Sequence, residues 1–246
     1  RAASPKTMKL LLASCLLASA SIASASIFLN ELRLDMPGAD NDEYVELFSD
    51  SPGTDSVDGL TLIVLGDTGE NSGIIENVTS FAGITNAFAS DPYFLVAEAS
   101  FSIGMADFTT DLNFENSDNV TYALVEGFTG MDGDHLDTDN DGVLDVTPWS
   151  GVIDALSLQE TVNGIPLADG DNHVYWDALG GAAVGPDGNF VPGHAFRLTD
   201  ANGDWAIGGF GLGTDDTAGI SNVIPEPSSA LLVLLGLTSL ARRRRS

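Results

Sequence analysis

Residues 26–34, "SIFLNELRL", followed across a polar loop by residues 43–48, "EYVELF", decide the fold. Both runs are short and rich in β-branched and aromatic residues, and their apolar side chains recur at a spacing of two rather than at helical spacing. Four more runs share this character: "GLTLIVLG" (59–66), "YFLVAEA" (93–99), "NVTYALVEGF" (119–128) and "VIDALSLQE" (152–160). Each is bounded by glycine, proline, aspartate or asparagine clusters, which act as turn signals. No helical stripe follows Ala25 until the extreme C-terminus. The expected fold class is all-β, a sandwich whose strands alternate core-facing and solvent-facing side chains.

The ends of the 246-residue chain read differently. Residues 1–7, "RAASPKT", precede Met8 and read as an upstream extension. From Met8 the run "MKLLLASCLLASASIASA" has a lysine, an apolar stretch and then Ala23-Ser24-Ala25. That order is expected of a signal helix cleaved after Ala25 by signal peptidase. The sole cysteine, Cys15, lies inside this segment; "LASC" resembles a lipoprotein box, but too few apolar residues separate it from Met8. The exported body therefore has no disulfide and depends on its core.

At the other end, Pro225-Glu226-Pro227 is followed by an apolar stretch over 230–241, expected as a short helix, and then by Arg242, Arg243, Arg244 and Arg245. The apolar stretch is short against the ~20 residues of a stable span, and the arginines behind it would stay cytoplasmic. On these residues alone a plain membrane anchor and a transient tether are both open. The tail resembles the PEP-CTERM sorting signal of Gram-negative bacteria. That resemblance implies an exosortase partner, a transient membrane tether, and delivery to the cell surface or the extracellular space.

The opening of the body, from "FLNELRLDMPGADNDEYVELF" through "DGLTLIV", resembles the lamin-tail domain (LTD), an immunoglobulin-like sandwich also found in secreted bacterial proteins. The likeness rests on Asn30-Glu31 in the first strand, Pro37-Gly38 in the loop, Glu43 to Leu47 in the second strand, and the turn at Asp58. It implies a sandwich over 26–162. Asn30 and Glu31 are expected to satisfy backbone groups of a neighbouring loop rather than to catalyse. Residues 163–213, rich in glycine, read as a β continuation of the same domain, and 214–224 as a linker to the sorting tail.

Of the 36 acidic residues all but Glu226 lie between Ser26 and Ile224, where the basic residues are Arg33 and Arg197. So acidic a body repels phosphates and anionic lipid, which argues against nucleic-acid binding, and it attracts divalent cations.

The strongest local motif is "LDTDNDGVLD" (136–145). A calcium loop supplies oxygens from positions 1, 3, 5, 7 and 9, with glycine at 6 for the sharp turn. Asp137, Asp139 and Asp141, the Val143 carbonyl and Asp145 fit these places, and Gly142 falls at the sixth. Pro148 stands at position 12, where an EF-hand has a bidentate glutamate, so the run resembles instead the DxDxDG loops of extracellular proteins such as thrombospondin type 3 repeats. Asp132, Asp134 or Asp154 is expected to add a further carboxylate. Asp200, Asn202 and Asp204 share the alternate spacing but lack the glycine.

Enzymatic motifs are missing. His135, His173 and His194 show no HxH or HExxH spacing, and there is no GxSxG elbow or nucleotide loop. The reading is a non-enzymatic, calcium-stabilised structural or adhesive protein of the cell surface or extracellular matrix, with a surface polysaccharide or protein as partner. The alternatives are a secreted hydrolase built on an acid pair, acting on phosphoester or polysaccharide, and a carbohydrate-binding module using Trp149, Trp176 and Trp205.

Overall fold

A computed structural model describes residues 27–68, 71–160, 173–201, 203–213 and 215–222. The elements are β1 (Ile27–Arg33), β2 (Tyr44–Ser49), β3 (Leu60–Thr68), β4 (Asn71–Ser80), β5 (Tyr93–Ala97), β6 (Phe108–Thr109), β7 (Val120–Glu126), β8 (Gly151–Leu158), β9 (Ala182–Val184), β10 (His194–Arg197) and β11 (Trp205–Ile207). No helix occurs among the described residues. The expected signal helix and C-terminal apolar helix lie outside them.

The strands form two mixed sheets, ordered β11-β10-β1-β2-β5-β6 and β4-β3-β7-β8-β9. All pairs are antiparallel except β5 with β6 and β8 with β9. Each of the six runs read as strands forms one. The glycine-rich region continues the same body, since β9 extends the second sheet while β10 and β11 extend the first beside β1.

The core lies between the sheets. Leu29, Leu32, Val45, Leu47 and Val96 from the first meet Leu62, Val64, Tyr122, Leu124 and Leu156 from the second, all buried. Burying one such aliphatic side chain stabilises by about 1.5–3 kcal/mol, which lets the fold stand without a disulfide. A rivet crosses between the sheets beside this core: Arg197 Nη2 donates 2.7 Å to Asp154 on β8, whose carboxylate also accepts the Leu29 amide at 2.9 Å. Asp154 is thereby committed to the fold and is not a further ligand for the acidic loop.

One irregularity in β1 decides what the outer face carries. Leu29 pairs with Leu47 and Glu31 with Glu46, so Asn30 is an extra residue in a bulge. The bulge reverses the alternation: Ile27 and Leu29 face the core before it, Leu32 and Leu34 after it. Glu31 and Arg33 therefore lie on the outer face of the first sheet, alongside Tyr44 and His194, and all four are fully buried there.

They are buried because residues 209–213 and 215–222 fold back over them. Arg33 Nε donates 2.7 Å to Asp216, and Thr217 donates its amide to Glu31 at 2.9 Å. Asn222 donates to the Asn30 carbonyl at 3.0 Å and its amide to Asp200 at 3.0 Å. The described part of the segment read as a linker is thus fastened to the sheet. Composition did not reveal this, because its small polar residues find their partners in β1, β2 and the turn at Asp200, far away in the chain.

Candidate metal site

The outer face of the second sheet is apolar, with Ile63, Leu65, Ile75, Ala123, Val125 and Ala155 buried against Leu136, Tyr175 and Leu179. Leu136 pulls the acidic loop down onto this face. Backbone bonds then stitch the loop to the edge of β4: the Ile75 amide donates to Asp134, Gly133 to Ile75, and Leu136 to Gly73, at 3.0, 2.7 and 2.9 Å. Most of β4 opposite the loop is thereby covered.

Asp137 follows Leu136 into the interior and is fully buried. Its carboxylate accepts the Asp141 amide at 3.1 Å, the Gly142 amide at 2.9 Å and the Tyr175 hydroxyl at 2.8 Å. Burial first, and then the bond to Asp137, push the Tyr175 phenol up, so it stays a donor. Two backbone positions make the turn. Gly142 has φ +86°, as expected of its sixth place, and Asn140 also takes a left-handed φ of 56°. The Asn140 side chain accepts the Ser72 amide at 2.9 Å, tying the loop's tip to β4.

Of the four predicted carboxylate ligands the structure brings three together. One carboxylate oxygen each from Asp137, Asp139 and Asp145 lies within 4.8 Å of the other two. Asp145 accepts the Thr138 amide at 2.8 Å and also the Thr138 hydroxyl, and these bonds hold its carboxyl below the usual range. Asp141 turns instead to the Val143 amide at 2.9 Å, and Val143 itself is exposed. Asp134 accepts the Met131 amide at 2.8 Å. Ala23, Ala25, Pro225, Glu226, Pro227 and Arg242 to Arg245 lie outside the described residues.

Of the second alternate-spaced set, Asn202 lies outside the described residues and Asp204 is exposed. Asp200 accepts from Asn30, Tyr93, Ser221 and Asn222. Trp149 packs on the outer apolar cluster, while Trp205 lies under the Arg197 guanidinium, 4.6 Å from its ring centroid. Trp176 remains partly exposed.

A cluster that motif reading did not find is Glu31, His194 and Asp216. Glu31 accepts from Tyr44, from His194 Nε2 at 2.9 Å, and from the amide and hydroxyl of Thr217. That many donors satisfy the carboxylate, and the cluster locks the covering segment. The signal lay in Glu31 and Arg33, two charges in a buried strand, but the bulge that groups them is invisible in the sequence.

Fold and site together define an all-β sandwich with an acidic loop fastened to one outer face. No family model, no curated protein and no solved structure matches this chain.

Proposed function

We propose that the chain is an exported, lamin-tail-like sandwich with a structural or adhesive role at the surface or in the matrix of a Gram-negative cell, its acidic loop held by calcium. The observation that carries the calcium reading is the convergence of Asp137, Asp139 and Asp145 on one point. Unit charges this close repel by about 1 kcal/mol per pair even at the dielectric of water, and a hard divalent cation reverses that term. Three carboxylates, completed by water and by whatever Asp141 and the Val143 carbonyl add, place the affinity in the weak extracellular class, about 10⁻⁴ to 10⁻³ M.

Export rests on Ala23-Ser24-Ala25, and sorting on the order of Pro225-Glu226-Pro227, apolar stretch and arginines. The body's acidity suits a surface protein that stays soluble and gathers divalent ions. Replacing Pro225, Glu226 and Pro227 by alanine in an exosortase-bearing host tests the sorting reading. The chain is expected to shift from the outer fraction to the inner membrane; unchanged fractionation would contradict it. Robust turnover in a broad hydrolase screen would overturn the structural role.

A further inference from the structure

A second group of carboxylates lies at the β3–β4 end of the sandwich. Asp67 is on β3, Glu76 on β4 and Glu115 in the loop before β7, and one oxygen of each lies within 4.8 Å of the other two. Backbone irregularity puts Glu76 there. Val64 pairs with Asn77 and Leu65 with Ile75, so Glu76 is the extra residue of a bulge, which re-aims its side chain. Its carboxyl lies over Gly66, where a Cβ would stand 2.1 Å from Oε2. Only a glycine leaves that space open.

Close carboxylates alone mean little in so acidic a chain. Two buried polar atoms without partners belong to this group and its neighbour. Glu76 Oε1 accepts the Asp67 amide at 2.7 Å, but Oε2 is sealed from solvent and has no hydrogen bond among the described residues. Tyr122 is fully buried, and its hydroxyl likewise lacks a partner. Its ring packs edge-on against Phe114, at 5.1 Å between centroids, immediately before Glu115. In the ladders Val64 pairs with Tyr122 on one side and with Asn77, next to Glu76, on the other. Buried polar atoms are nearly always paired, so orphans of both kinds beside one carboxylate group point to a missing occupant. Glu31, by contrast, is filled with donors from its own chain.

A recess of about 360 Å³ lined by Glu76, Asn113, Phe114, Glu115, Asn116 and Ser117 opens beside the group and gives an entry path.

We propose that Asp67, Glu76 and Glu115 form a site for a hard divalent cation, with the Tyr122 hydroxyl as a neutral oxygen beside it. An all-oxygen set of this kind, completed by water from the recess, is what calcium takes. The site is independent of the loop at Asp137 and does not rest on that loop binding an ion.

The test is the calcium-induced shift of the melting midpoint in the purified chain carrying Asp139→Ala, which removes the loop's contribution. A shift is expected to persist in this background and to be lost on adding Glu76→Gln. That substitution keeps the side chain's shape and removes a like charge, so folding is retained. Glu115→Gln, in a surface loop, is expected to lower the apparent affinity at least tenfold. Absence of any residual shift in Asp139→Ala, or a residual shift that Glu76→Gln leaves intact, overturns the proposal. If Glu76 merely shares a proton with Glu115, Asp139→Ala alone already melts identically in calcium and in chelator. A failure of the loop reading looks different: Asp139→Ala alone would then leave the whole calcium response in place.

Discussion

The hydroxyl of Tyr175 donates to the carboxylate of Asp137 at 2.8 Å, joining residues 38 apart in the chain across the outer face of the second sheet. Asp137 is fully buried and Tyr175 nearly so. The first place of the acidic loop is thus held by the sandwich, whereas Asp139 and Asp145 are exposed.

Tyr175→Phe leaves that carboxylate one donor short at no cost in shape. The expected loss is about 1–3 kcal/mol of stability, the penalty of an unsatisfied buried group. Urea unfolding in chelator measures it directly, and a midpoint equal to wild type would show that the bond contributes nothing.

Gly73 has φ +70°, and a Cβ there would lie 2.8 Å from the Tyr175 hydroxyl and 2.9 Å from Asp137 Cβ. Gly83 has a similar φ of +84° but open space around it. Gly83→Ala therefore carries only backbone strain, about 1 kcal/mol, while Gly73→Ala adds a clash with the loop. Gly73→Ala is expected to be the more destabilising by at least about 1 kcal/mol and to weaken calcium binding, which Gly83→Ala leaves unchanged. Equal effects on both readouts would contradict the close packing of loop on β4.

Much of this was legible in the sequence. Six strands announced themselves by two-residue periodicity because both their faces or one whole face are buried. β4 did not, although it is ten residues long. It lies at a sheet edge, its ladder shifts twice against β3, and the bulged Glu76 breaks the alternation. β6, β9 and β11 have two or three residues each, too few for any period to show. In the acidic loop, spacing located Asp137, Asp139 and Asp145. The partner that fixes them, Tyr175, comes from a distant glycine-rich stretch that carries no motif. Spacing also named Asp141, whose carboxylate bonds the amide two residues on and lies outside the converging three.

Glu43 is buried at the end of β2's approach, and both its oxygens accept the Phe114 amide at 3.2 Å. Burial, opposed by that amide and reinforced by the facing Glu98 and Asp40, pushes its carboxyl from 4.5 up to about 8. Between those values the folded chain binds more protons than the unfolded one, so this group's contribution to stability is complete below 4.5 and is lost as pH rises through about 8. In chelator, the urea midpoint is expected to fall from pH 5 to pH 8.5, and Glu43→Gln to lessen the slope. A midpoint that rises over this range, or a slope unchanged by Glu43→Gln, would count against the assignment.

The segment that covers Glu31 and Arg33 ends at Asn222, which is fully buried. Asn222→Ala removes its bond to the Asn30 carbonyl and the acceptor it offers to the Thr217 hydroxyl. Limited proteolysis should then cut within 209–222 several-fold faster than in wild type, while the sheets stay protected. Cleavage at the wild-type rate would mean that Arg33 and Asp216 hold the segment unaided.

The calcium loop is tested most directly by comparing melting midpoints of the wild-type chain and Asp139→Ala, each in saturating calcium and in chelator. At a free calcium concentration 100 times the dissociation constant, one site adds about 2.7 kcal/mol, a shift on the order of 5–10 °C for a domain of this size. The account predicts that wild type gains at least this much and that Asp139→Ala loses the loop's share of it. Wild-type midpoints that coincide in calcium and chelator, or a full response retained by Asp139→Ala, would contradict it.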